Sequence, residues 1–450
     1  MKKIRIGAGA GYGGDRIEPA VELVEKGNID YLVYECLAER TIAIAQQAKM
    51  KDPNKGYNAL LRDRMESVLA SCYQNDITII TNMGAANPLA AVGLIQDIAE
   101  EKCLSGLKIA AVIGDDITKN IDKYLDYKLL NLNKKLSELK GKIISANTYL
   151  GIEGILEALQ KDVDVVVTGR VSDPALFLAP LVYEFDWDRS NYELLGKGTV
   201  IGHLMECAGQ ITGGYFIEPG YKDVPAPWNL GFPIAEVSEN GEAVITKVKN
   251  SGGAVTTASC KEQILYEIHD PSTYITPDCV ADFTGVEFTE EGPNLIRVTG
   301  GTGSKEPEKL KVSIGYQDSF VGEGEISYGG TGALERAKLA KEIVGKRLEI
   351  ANVSFQEIRY DFIGVNSLYK DKISDKITRS EPAEVRLRVA GRTSQRKEAQ
   401  KIANEVQALY TNGPAGGGGA TKSTQEVLSI ESILIPRNDI EIEIIEKEVK

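Results

Sequence analysis

Short apolar runs alternate with stretches of helical periodicity through the first half of the chain. Runs at 3–7, 31–34, 77–81, 108–114, 142–146 and 163–168 read as strands, rich in Ile, Val and Leu. Between them, apolar positions recur at helical spacing over 16–25, 39–48, 60–74, 88–101, 121–139 and 151–160. Strand alternating with helix predicts a mostly parallel, doubly wound α/β sheet covered on both faces. Texture changes near residue 219, where PGYKDVPAPWNLGFP reads as a connection rich in Pro and Gly. The last third follows the order strand 310–315, helix 331–345, strand 353–363, strand 384–390, helix 393–410, strand 429–435. That order predicts a smaller α+β ferredoxin-like region, a split βαβ unit. The expected division is 1–218 as the α/β domain, 219–309 as a mixed, β-rich connecting region, and 310–450 as the ferredoxin-like region. The tail NDIEIEIIEKEVK alternates like a strand with no evident partner.

Charge narrows the function classes. The chain has 450 residues and a net charge of −13, which disfavours nucleic acid as a partner. No apolar run approaches the roughly 20 residues needed to span a bilayer, and no signal peptide opens the chain. The expected location is the cytoplasm. Six cysteines stand without a CxxC pair, so free thiols are expected. With only two histidines, His203 and His269, a site of three histidines from one chain is excluded.

Candidate chemistry collects in the loops that follow strands, because ligands in open α/β sheets bind beyond the carboxyl ends of strands. The first loop, GAGAGYGGDR, fits G-x-G-x-x-G at Gly9, Gly11 and Gly14. Nucleotide binding is one reading; a glycine turn, with Gly11, Gly13 and Gly14, offering backbone N–H groups to another anion is the preferred one. Glu35 and Glu39 flank the end of the second strand, either as a solvated pair or as acids of a site. Asn82 and Asn87, in TNMGAANP, suit a carboxylate or hydroxyl, or merely form the turn before Pro88. Asp115 and Asp116 follow the fourth strand. With Glu35 they are candidate ligands of a divalent metal, or else helix caps.

Two segments carry the sharpest signals. VDVVVTGRVSDPAL delivers Thr168, Arg170, Ser172 and Asp173 to one loop. Arg170 has the planar fork that grips a carboxylate or phosphate; an internal Arg170–Asp173 pair is the alternative. In GHLMECAGQITGGYF, His203, Glu206 and Cys207 fall at i, i+3 and i+4, so one helical face carries imidazole, carboxylate and thiol. That set suits proton transfer or nucleophilic attack; a satisfied structural histidine and an inert cysteine are the plainer reading. Finally, TNGPAGGGGATKST places Gly416, Gly417, Gly418 and Lys422 where backbone N–H groups could wrap an anion, although the P-loop frame is missing. A flexible lid or a domain contact is the alternative.

Taken together, GGDR, ITIITNMGAANP, ANTYLGIEGI, VVVTGRVSDPAL, GHLMECAGQITGGYF, YITPDCVADF, GGGGATK and ESILIPR resemble the acyclic terpene utilisation AtuA family over nearly the whole chain. The resemblance implies bacterial catabolism of acyclic terpenes and other branched acids, beside acyl-CoA enzymes. It also implies a small ferredoxin-like partner protein. The expected protein is a lyase or hydratase acting on a small branched or hydroxylated carboxylate or its acyl-CoA thioester, working as a homo-oligomer. Arg170 would hold the anion, with Asn82, Asn87, Thr168 and Ser172 nearby; His203, Glu206, Asp173 and Cys207 would do the chemistry. A divalent metal and CoA are the cofactors to consider. The competing class is a non-catalytic subunit or scaffold of an acyl-CoA-processing complex.

Overall fold

The structure, a computed structural model, describes residues 2–139, 141–377 and 381–450. The chain divides into two units, Met1–Gly315 with Ile430–Lys450, and Tyr316–Ser429. It is a mixed α/β protein with several sheets.

The centre of the first unit is a run of parallel strands. β1 (Lys3–Ala10), β2 (Tyr31–Tyr34), β3 (Thr78–Thr81), β4 (Lys108–Ile113), β5 (Ile143–Thr148) and β6 (Val165–Thr168) follow the expected positions closely. Five of them lie side by side in the order β1-β2-β3-β6-β4, each pair parallel. Every residue of β2 and β6 is buried, as a parallel strand covered on both faces requires. Helices α1 (Glu18–Lys26), α2 (Glu39–Lys51), α3 (Leu61–Gln74), α4 (Pro88–Glu101), α5 (Glu153–Leu159), α6 (Ala175–Phe185) and α7 (Tyr192–Met205) connect or follow these strands. α1 buries Pro19, Ala20, Leu23 and Val24, one stripe at helical spacing.

The sheet does not stop at its parallel centre. β7 (Pro233–Ser238) pairs antiparallel with β1, and β8 (Ala243–Lys247) pairs with β7. Beyond them lie β11 (Glu287–Gly292) and β12 (Leu295–Thr299), in the order β11-β12-β8-β7-β1. Short β9 (Tyr274–Ile275), β10 (Val280–Asp282) and β13 (Thr302–Ser304) form a separate sheet. Residues 219–309 are therefore not merely a connection: they supply four strands of the ten-stranded sheet. At the other edge, β18 (Glu443–Glu448), the alternating tail, pairs antiparallel with β4. The sheet is thus mixed rather than mostly parallel.

Two further expectations need correction. Residues 121–139 form no α-helix; 3-10 turns at Thr118–Tyr124 and Leu136–Leu139 bracket an irregular stretch. Asp and Asn in DYKLLNLNKK compete for the backbone and weaken the helix, and Asn131 instead bonds Glu431. β5 sits outside the parallel sheet and pairs with β14 (Lys309–Gly329), where Tyr149 N–H donates to the carbonyl of Lys311.

In the second unit, β15 (Glu357–Ile363), β16 (Glu384–Thr393), β17 (Gly418–Pro436) and β14 stand in the order β15-β16-β14-β17. β16 is antiparallel to both its neighbours. α8 (Thr257–Leu265) belongs to the first unit; α9 (Ala333–Ile350), α10 (Lys370–Ile377) and α11 (Arg396–Gln407) belong to the second. β16 alternates buried and half-exposed residues. Its inward Val385, Leu387 and Val389 share a core with Ala337 and Val344 of α9 and Ile402 and Val406 of α11. Among the described residues no helix is long and apolar enough to cross a membrane.

Candidate functional site

A cavity of about 980 Å³ opens at the carboxyl ends of β1, β2 and β6. Three strand-end loops line it: Gly11–Arg16 by Gly11, Tyr12, Gly13, Asp15 and Arg16; the β2 loop by Glu35 through Thr41; and the β6 loop by Arg170 and Asp173. Tyr149, after β5, and Glu206, Cys207 and Gln210, after α7, complete the inner wall. Of the residues marked from sequence, the cavity gathers Gly11, Gly13, Glu35, Arg170, Asp173, Glu206 and Cys207.

The glycine loop is shaped by two close approaches. Fully buried Arg64 of α3 donates to the carbonyls of Tyr12 and Asp15 and contacts Cys36 Sγ at 2.9 Å. Gly11 N–H is taken by Asp15 Oδ2 at 3.0 Å. A Cβ on Gly11 would fall 2.3 Å from the carbonyl carbon of Cys207, and one on Gly14 would fall 2.5 Å from Tyr12 Oη. The glycines let two backbones meet.

Electrostatically, the inner wall combines an ion pair with two carboxyls that burial raises. Arg170 is 3% exposed; its Nη1 donates to Asp173 Oδ1 at 2.8 Å and to the Leu37 carbonyl at 2.5 Å. Its guanidinium stacks 4.3 Å from the Tyr149 ring, and Tyr149 O–H donates to Asp173 Oδ2 at 3.1 Å. The internal pair weighed from sequence is therefore formed. Glu35 Oε1 accepts from Leu37 N at 2.9 Å and Asn82 Nδ2 at 3.0 Å. Burial first, and the Asp173 charge second, still push its carboxyl well above the usual range. The same two causes, in the same order, raise Glu206 well above the usual range. Burial lowers His203 to about 4. His203 Nδ1 lies 2.8 Å from Glu206 Oε1, and the ring packs on Tyr274 and Phe283 at 5.3 and 5.4 Å. The proton between Glu206 Oε1 and His203 Nδ1 is shared by a carboxyl raised by burial and an imidazole lowered by burial. Glu206 Oε2, His203 Nε2, Arg170 Nε and Gln210 Nε2 have no hydrogen-bond partner within the described chain. Burial also pushes the Cys207 thiol up, so it is a thiol rather than a thiolate nucleophile at neutral pH.

Other marked residues stand behind the wall. Asn82 Oδ1 accepts from Cys36 N at 2.7 Å, while its amide holds Glu35. Asp115 Oδ2 accepts from Arg170 N at 2.9 Å and Asn147 Nδ2 at 2.8 Å, and burial raises its carboxyl to about 6. Asn87 donates to the carbonyls of Pro53 and Lys55. Thr168 and Ser172 are buried, and Thr168 O–H donates to the Gly169 carbonyl. Asp116 faces Lys49 at 3.9 Å. Glu35, Asp115 and Asp116 do not form a metal site: among the described residues no three His, Cys, Asp or Glu side chains are grouped to hold one. Gly416, Gly417, Gly418 and Lys422 belong to the second unit, where β17 begins at Gly418 and Lys422 donates to Asn404 Oδ1 at 2.8 Å.

Sequence reading passed over Tyr149, Arg40, Gln210 and buried Arg64. Tyr149, Arg40 and Gln210 each stand inside or next to a segment that sequence does single out, ANTYLGIEGI, the Glu35–Glu39 loop and GHLMECAGQITGGYF, while Arg64 stands in an ordinary helical pattern.

The fold and the site together define a mixed α/β protein with an acid-lined cavity at its strand ends. The chain belongs to the family described as acyclic terpene utilisation family protein AtuA, whose model matches residues 4–445. No curated protein compared with the chain matches it. Membership ties the protein to the utilisation of acyclic terpenes.

Proposed function

We propose that this protein is a catabolic enzyme of the lyase or hydratase type, acting on a branched or hydroxylated carboxylate or its acyl-CoA thioester. One observation carries the reading: Glu35 and Glu206, whose carboxyls burial raises well above the usual range, line one cavity beside the Arg170–Asp173 pair. A carboxyl with a raised pKa can give a proton near neutral pH and take it back. Glu206 is the proposed acid. His203 positions its carboxyl through Nδ1 and can carry the proton in turn. Glu35, oriented by Asn82 and Leu37, is the second proton carrier. Removing water from a hydroxylated chain needs a proton delivered to the leaving oxygen and another withdrawn from the adjacent carbon: Glu206 in its acid form gives the first, Glu35 in its carboxylate form takes the second, and exchange with water resets both. The finer fold reading belongs to the same proposal: a doubly wound first unit and a ferredoxin-like second unit. The split βαβ order of β14 to β17, with α9 joining β14 to β15 and α11 joining β16 to β17, supports the latter. The six free cysteines support a reducing compartment, the cytoplasm.

The test is deuterium exchange from solvent into branched carboxylates and their CoA thioesters, followed by NMR. Wild type should label the carbon next to the carbonyl. Glu206→Gln and Glu35→Gln should each slow labelling by roughly 100-fold or more, the usual contribution of a general acid or base, with unchanged unfolding curves. Labelling at wild-type rate in both variants would refute the assignment.

A further inference from the structure

Resting on that catalytic reading, we infer that the anionic group of the substrate is held at the mouth of the cavity by Arg40 and Arg16, while its uncharged reacting part lies deeper, between Glu35 and Glu206. A tally of the charges lining the cavity leads there. Arg170 is already spent on Asp173 and the Leu37 carbonyl. Lys311 is spent on Glu39, at 2.5 Å. An anion beside Arg170 would have to displace Asp173, and it would lie in a buried wall that already carries the Asp173, Glu35 and Glu206 carboxyls. The inner cavity therefore disfavours negative charge.

At the mouth the balance reverses. Arg40 lines the cavity, is exposed, and makes no hydrogen bond or ion pair among the described residues. It stands in the first turn of α2, whose N-terminus lacks a side-chain acceptor from Ala38, so the helix field adds to its charge. Arg16 is exposed as well, and among the described residues its guanidinium makes a single bond, 3.1 Å to the Trp228 carbonyl. The acids nearby are less free: Asp15 accepts from Gly11 N and Arg16 N, while Glu267 stands beside Tyr266. Large rings stand at this mouth: Tyr12, 64% exposed, and Tyr215, 79% exposed, line the cavity, and Trp228, 78% exposed, follows the lining Pro227 and takes the Arg16 bond on its carbonyl. An elongated substrate, apolar along its length and charged at one end, matches this gradient. The charge is either a free carboxylate or the phosphates of a carrier attached through a thioester.

Trp228 provides the readout, because the other tryptophan, Trp187, is buried. Its quenching would be titrated in the full-length protein with two probes, a branched medium-chain carboxylate and the CoA thioester of the same acid. Arg40→Gln and Arg16→Gln should each weaken binding at least ~10-fold, in line with the loss of one charge-assisted contact, and flatten its dependence on salt. Arg40→Lys should retain most of the affinity. The probe whose affinity falls identifies the source of the anion. Wild-type affinity for both probes in both glutamine variants would overturn the inference, as would failure of wild type to bind either probe. Glu206→Gln separates the two claims. Salt-dependent binding through Arg40 without deuterium exchange in wild type would sink the catalytic reading alone. Exchange that needs Glu206 but ignores Arg40 would sink the mouth subsite alone.

Discussion

Asp173→Asn tests the electrostatic core of the site. The substitution keeps the shape of the side chain but removes the one carboxylate that neutralises Arg170. The guanidinium cannot shed its proton, so it stays charged in a setting where it is 3% exposed. What remains is the Leu37 carbonyl and the face of Tyr149. Breaking one side of a buried pair costs about 3–5 kcal/mol. Asp173 is 26% exposed, so solvent recovers part of this and roughly 2–4 kcal/mol is expected. Both tryptophans lie in the first unit, so urea unfolding followed by tryptophan fluorescence reports the stability of that unit. A cycle sharpens the result. Arg170→Met should cost a similar amount by leaving Asp173 without its cation, and Arg170→Met with Asp173→Leu should cost clearly less than the sum of the single changes, because no charge is then stranded. A cost below about 0.5 kcal/mol for Asp173→Asn, or additive costs in the cycle, would show that Arg170 does not depend on this partner, and the account of a neutralised inner wall would fall.

Asp115 gives a pH signature. Its carboxyl is raised from 3.8 to about 6 by burial, so the folded state holds its proton more tightly than the unfolded state. Its contribution is full below about pH 4 and is lost as pH rises through about 6, a change on the order of 3 kcal/mol. Asp115→Asn should remove that loss, and urea midpoints of wild type and variant compared between pH 4 and 7 would reveal it; parallel profiles would contradict it. Gly11→Ala should push the Gly11 loop and the Cys207 backbone apart, because the added methyl would sit 2.3 Å from a carbonyl carbon. Destabilisation of about 1–3 kcal/mol is expected, with loss of probe binding, whereas Gly93→Ala, in α4 with nothing within 4 Å, should stabilise by up to about 1 kcal/mol.

Much of the first unit was legible along the chain because its signals are local. Tyr31–Tyr34 and Val165–Thr168 are continuous apolar runs of strand length, and Pro88–Glu101 opens with a proline at its first helical position. A buried strand and an amphipathic helix declare themselves through period alone. The 121–139 stretch failed because leucines at near-helical spacing do not outweigh asparagine and aspartate that hold the backbone elsewhere.

By itself the sequence determined the residue types, the periodicity and the candidate loops: Glu35, Arg170, Asp173 and Glu206 stand out along the chain, and three distant segments do bring them to one cavity. Only the tertiary structure decided what each can do. Which strand lies beside β4, whether Arg170 is also held by the Leu37 carbonyl, and whether Asp115 grips a metal or the Arg170 N–H depend on residues tens to hundreds of positions apart. Protonation is decided there too. A glutamate in sequence is an acid of ordinary strength; Glu206 holds its proton more tightly only because burial and the charge of Asp173 act on it together. Desolvation and Coulomb interaction are set by three-dimensional distance, and distance across the chain is what one-dimensional spacing does not carry.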